Sequence, residues 1–144
     1  MYRRCVRAIL VAVAVVSMGA CSNDTLSSLT TPTNPTIFTD TFTGTLSTNG
    51  SFTHSFTTAS LGAVTVTIVS LAPNTSQIVG LSLGVFNGSA CSTSPQTGGS
   101  SSDTATTGSS ITLNASAAGS LCVRLYDVGF ITTPVLYTLQ VTHP

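Results

Sequence analysis

The chain has 144 residues, with four Lys and Arg against four Asp and Glu, so its formal net charge is zero and only 6% of it is charged. Three of the cations, Arg3, Arg4 and Arg7, stand in the first seven residues; beyond residue 20 a single arginine, Arg124, faces Asp24, Asp40, Asp103 and Asp127, a net −3 with the histidines neutral. Nucleic acid binding needs Lys and Arg to replace counterions along the phosphates, so that class of partner is excluded.

The chain begins with a basic stretch at Arg3, Arg4 and Arg7, followed by an uninterrupted apolar run from Ala8 to Val16 and the small pair Gly19 and Ala20. A membrane-spanning helix needs about 20 apolar residues, so this shorter run reads as a cleaved export signal over residues 1–20. The tetrapeptide Met18-Gly19-Ala20-Cys21 resembles the bacterial lipobox, with Met18 where that family usually has Leu. The resemblance implies lipid on the Cys21 thiol, cleavage before Cys21 and, with Ser22 rather than Asp next, an outer-membrane lipoprotein of the bacterial cell envelope. Two or three acyl chains would anchor the protein to the membrane stably, whereas one would hold it only marginally. The alternative is an ordinary secretory signal cut after Ala20.

Residues 21–36 are polar, carry Pro32 and Pro35, and show no apolar period, which predicts a flexible tether after the lipidated cysteine. From 37 to 144 the chain reads as one domain. Phe38, Phe42 and Leu46 alternate with Thr39, Thr41, Thr43 and Thr45, the pattern of a strand with one face in a core. Asn49-Gly50 predicts a tight hairpin, and the return strand places Phe52, His54 and Phe56 on one face. Further strands are expected at 64–71, 78–86, 110–115, 120–127 and 135–142, separated by Pro73-Asn74, Asn87-Gly88, Gly119 and Thr133-Pro134. No window carries a helical period. Seven or eight short strands predict an all-β fold, an antiparallel β-sandwich. Residues 89–110 read as one long low-complexity loop, with a short edge strand expected at 104–107.

Of four cysteines, Cys5 falls in the signal and Cys21 in the lipobox. Cys91 and Cys122 remain, and in an oxidising exported compartment they are expected to form a disulfide at the base of that loop. The chain-entropy model gives such a ring about 3 to 4 kcal/mol of stabilisation. Two thiols without nearby His ligands make a poor metal site.

The succession Phe42–Phe56, Val64–Ile68, Leu81–Ser89, Ile111–Asp127 and Tyr137–Thr142 resembles the bacterial pre-peptidase C-terminal (PPC) domain family. That resemblance implies a jelly-roll sandwich appended to exported proteins. The chain departs from it in having no catalytic domain ahead of the sandwich. Some relatives bind calcium through clustered carboxylates, whereas this domain offers only Asp40, Asp103 and Asp127 without Glu.

Candidate chemistry is sparse. Gly80-Leu81-Ser82-Leu83-Gly84 matches the nucleophile elbow G-x-S-x-G formally, but no helix follows, so Ser82 is expected as an outward-facing strand serine. His54, between Phe52 and Phe56, reads as a satisfied core or edge histidine, His143 as part of a mobile terminus, and Arg124 with Asp127 as a surface ion pair. Tyr137 belongs to the core by its alternation with Leu139 and Val141. Tyr126 and Phe130, with Phe86, could form an aromatic face for a ligand. No catalytic residue, metal site or cofactor is expected. The sequence therefore predicts a non-enzymatic envelope protein with a structural or interaction sandwich; the alternative is a glycan- or peptide-binding module using the 89–110 loop and exposed aromatics.

Overall fold

A computed structural model describes residues 34–94 and 98–144 of the chain. The export signal, Cys21 and most of the tether lie outside the described residues. Nine strands follow one another: β1 Phe38–Leu46, β2 Ser51–Thr58, β3 Gly62–Ala72, β4 Val79–Phe86, β5 Cys91–Ser92, β6 Ser100–Ala105, β7 Ser110–Ala115, β8 Gly119–Tyr126 and β9 Val135–His143. One sheet has the order β1-β9-β3-β7, the other β2-β8-β4 with β5 and β6 both paired to β4, and every pairing is antiparallel. Successive strands cross from sheet to sheet, except where β4, β5 and β6 stay together, which is the double Greek key of a jelly roll.

Alternation builds the core. In β9, Val135, Tyr137, Leu139 and Val141 point inward, while Leu136 and Gln140 point out. Facing them in the second sheet, Leu121, Val123 and Leu125 of β8 are buried beside Val79, Leu81 and Leu83 of β4. In β3 the inward set runs Val64, Val66, Ile68 and then Leu71, because the register shifts between Ile68 and Ser70 and turns Val69 outward. A β-bulge of this kind adds one residue to one strand and reverses the facing of all that follow.

Four expectations need correction. Asn49-Gly50 does not close a hairpin: β1 and β2 belong to different sheets, and the turn, with Asn49 at φ 56° and the Gly50 N–H on the Ser47 carbonyl, carries the chain across the sandwich. The long loop is largely folded onto β4 as β5 and β6, so the extra strand is 100–105 rather than 104–107, and nine strands stand among the described residues where seven or eight were expected. The terminus is fixed, with His143 only 5% exposed and the Pro144 carbonyl oxygen accepting from the Thr58 hydroxyl and the Ala59 N–H. Arg124 does not pair with Asp127, as the site geometry shows below.

The strand β4 is covered on both faces, which explains its nearly continuous apolar sequence. Its outer face is closed by two side-by-side approaches that only glycine permits. A Cβ on Gly80 would lie 2.2 Å from the Tyr126 ring, and one on Gly84 would lie 2.0 Å from the Ser92 carbonyl oxygen. Ser82 stands between them on that outer face, yet it is 3% exposed. The disulfide expected between Cys91 and Cys122 is formed, with sequence separation 31, and joins β5 to β8.

Candidate functional site

The outer face of the β2-β8-β4 sheet holds Tyr126. Alternation along β8 puts Cys122, Arg124 and Tyr126 on the side opposite Leu121, Val123 and Leu125. The Tyr126 ring lies over Gly80, its hydroxyl donates to the Asp103 carboxylate of β6, and the Arg124 guanidinium sits 5.3 Å from its centroid. Burial, the bond to Asp103 and the Asp103 charge all favour the neutral phenol, and they outweigh the opposing Arg124 charge and push its pKa up to about 12. Tyr126 is thus a clamp that fastens β6 across β4.

Phe130 stands in the β8–β9 connection, 59% exposed. No ring contact joins it to Tyr126 among the described residues. Its position is set by Asp127, whose carboxylate accepts from the backbone N–H groups of Gly129, Phe130 and Ile131 through Oδ1 and from Asn49 through Oδ2. Burial alone would raise the Asp127 pKa, but those backbone donors win and lower it. One carboxylate therefore binds the β1–β2 corner to the β8–β9 loop.

The two histidines are also engaged. The His54 Nε2 lies 2.9 Å from the Tyr137 hydroxyl, and its ring stacks on Phe42 at 4.7 Å between centroids. Desolvation lowers the His54 pKa and so favours the neutral imidazole, and desolvation raises that of Tyr137. His143 meets Asp40 through Nε2 at 3.2 Å. The three aspartates expected as too few for calcium are dispersed over these separate contacts, and no group of three or more His, Cys, Asp or Glu side chains converges among the described residues.

Among the described residues a feature with room for a ligand lies elsewhere, at the end of the sandwich where β7 turns into β8. A half-open groove of about 700 Å³ is lined by Val85 and Phe86 of β4, Leu113 and Ala115 of β7, and the small residues 116–120 of the turn and the start of β8. Such a volume is within the range of small-molecule sites. Its polar groups are neutral: Asn114, Ser116, Ser120 and the backbone. Of the 89–110 segment, Gly98 alone lines it among the described residues. Residues 116–118 link the strands expected at 110–115 and 120–127, and small side chains at the groove leave the space open.

No protein-family model matches this chain, and no curated protein matches it in sequence.

Proposed function

We propose that the chain is a non-enzymatic, lipid-anchored protein of the bacterial cell envelope whose jelly roll acts as an interaction module. The observation that supports this reading is the employment of the described titratable side chains in holding the fold. Asp40 is bound to His143, His54 to Tyr137, Asp103 to Tyr126, and Asp127 to four backbone amides, while Arg124 stacks on Tyr126. Acid–base or nucleophilic catalysis needs a nucleophile, a base and an orienting group aimed at one open space, and none of these side chains lines the groove. The anchor rests on the likeness of Met18–Cys21 to a lipobox. In the full chain, Cys21→Ala is expected to leave the precursor uncut and to shift the product out of the detergent phase; unchanged partitioning overturns the anchor.

The groove favours a second reading, a module that binds a neutral glycan or peptide segment. Its amide and hydroxyl groups suit uncharged hydrogen-bonding ligands, and its Ala and Leu lining suits their apolar edges. Glycan and peptide arrays probed with the exported protein test it. Hits abolished by Ser120→Trp, which fills the groove, and kept by Tyr126→Ala support this reading; absence of hits leaves the scaffold role as the better account.

A further inference from the structure

One side of the sandwich is built differently from the other. The far side ends in β7, of six residues, in one sheet and, in the other, in β5, of two residues, and β6, whose pairing to β4 is offset by a register shift between Val79 and Leu81. Short strands and bulges are common means of keeping a sheet edge from pairing with another chain. The near side ends in β1 and β2, nine and eight residues long, each in unbroken register with its inner neighbour. Neither carries Lys, Pro or a bulge, and the single charge on either strand, Asp40, is bound to His143.

Along this open side the rings form one continuous row. Phe38 contacts His143, His143 contacts Phe56, Phe56 contacts Phe42, Phe42 stacks on His54, His54 meets Tyr137, and Tyr137 meets Phe52, with centroid separations from 4.7 to 6.5 Å. The row is closed in its middle and open at both ends, where Phe38 is 49% and Phe52 43% exposed.

Both edges are also self-complementary when a copy is laid antiparallel against them. Centred on Phe42, β1 sets Phe38 against Leu46, Asp40 against Gly44, Phe42 against Phe42, and threonine against threonine on the outer face. Asp40 avoids its own twin. Centred on His54, β2 sets Phe52 against Phe56, Ser51 against Thr57 and Thr53 against Ser55. The two centres coincide in space, because the rings of Phe42 and His54 are stacked at 4.7 Å between the sheets. A two-fold axis perpendicular to the sheets that passes beside one therefore passes beside the other.

We propose that two copies of this chain join edge to edge, β1 to β1 and β2 to β2, about one two-fold axis beside Phe42 and His54. The main-chain N–H and C=O groups of β1 and β2 that have no strand partner among the described residues are satisfied by the second copy, and both sheets run on through the interface. In that register the exposed Phe38 comes to lie opposite the partner's Leu46, and the exposed Phe52 opposite the partner's Phe56. The contact is isologous, so it closes at a dimer and leaves no further edge on that side for growth.

The register makes the test specific. Full-length chains carrying Thr41→Cys and, with an epitope tag, Thr43→Cys are co-expressed and oxidised mildly in whole cells. These positions lie directly opposite across the proposed interface, at a spacing that a disulfide can bridge. A reducible dimer carrying both chains is expected, and at least tenfold less of it when Thr39→Cys replaces Thr43→Cys. In parallel, Thr41→Lys with Thr43→Lys, on the exposed outer face, is expected to give a folded monomer by sedimentation; chains carrying Thr41→Lys and Thr43→Asp are expected to pair when mixed. A wild-type protein that sediments as a monomer throughout its soluble range overturns the proposal, as does cross-linking that ignores the register.

Discussion

Asp127 shows how much one side chain contributes when its partners are backbone amides. Removing it in Asp127→Ala leaves four N–H donors to water and frees two connections at once, with an expected loss of about 1 to 2 kcal/mol in urea denaturation. Because its folded pKa lies below the ordinary 3.8, that stabilisation is complete above pH 3.8 and fades as pH falls below it. His54 acts in a higher window. Its folded pKa lies below 6.5, so the unfolded chain takes up the proton first as pH drops past 6.5, and thermal stability should fall from there until the folded imidazole is titrated too. His54→Gln keeps a hydrogen-bonding group and should flatten that part of the profile; a Tm profile unchanged by the substitution would rule out this assignment. That His54 is a satisfied histidine was legible in the sequence, but Tyr137, its partner 83 residues away, was not. Sequence spacing carries no information on which inward side chains meet across two sheets. For the same reason His143 read as a fraying end, although Asp40, Phe38 and Phe56 hold it.

Strands themselves were the most legible level. Period-two alternation located β1, β2, β3, β8 and β9 because each has one face in the core. The failures lie where a second influence overrides alternation. Asn49-Gly50 has the composition of a hairpin, yet the apolar faces of β1 and β2 are better buried against each other from opposite sheets than side by side in one. Serine-rich β6 has a weak apolar signal, and β4 and the Tyr126–Asp103 bond hold it as a strand. The glycines of β4 offer a direct test of how tightly that region is closed. Gly84→Ala drives a methyl into the Ser92 carbonyl and should cost about 1 to 3 kcal/mol as β5 is displaced. Gly119→Ala, where a Cβ meets open space, should stay within about 0.5 kcal/mol of wild type, and equal losses at the two sites would refute the packing argument.

At the scale of the whole molecule, composition and strand count were enough to predict an antiparallel β-sandwich, and the two antiparallel sheets bear that out. The groove was not legible, since it arises from small residues in the β7–β8 turn rather than from a motif. The Cys91–Cys122 bond fastens β5 over β4 and β8, and replacing both cysteines with serine should lower stability by about 3 to 4 kcal/mol while leaving the strand content intact by circular dichroism.

The placement of Arg124 has a last consequence. The chain has no lysine, and Arg124 is its one arginine beyond residue 7, so an enzyme such as trypsin has a single peptide bond to attack in the entire sandwich. That bond lies within β8, laddered to β2 on one flank and β4 on the other. Digestion cannot start by nibbling at loops; it must wait for the sheet to come apart, and the rate of that one cut becomes a clock for complete opening of the molecule.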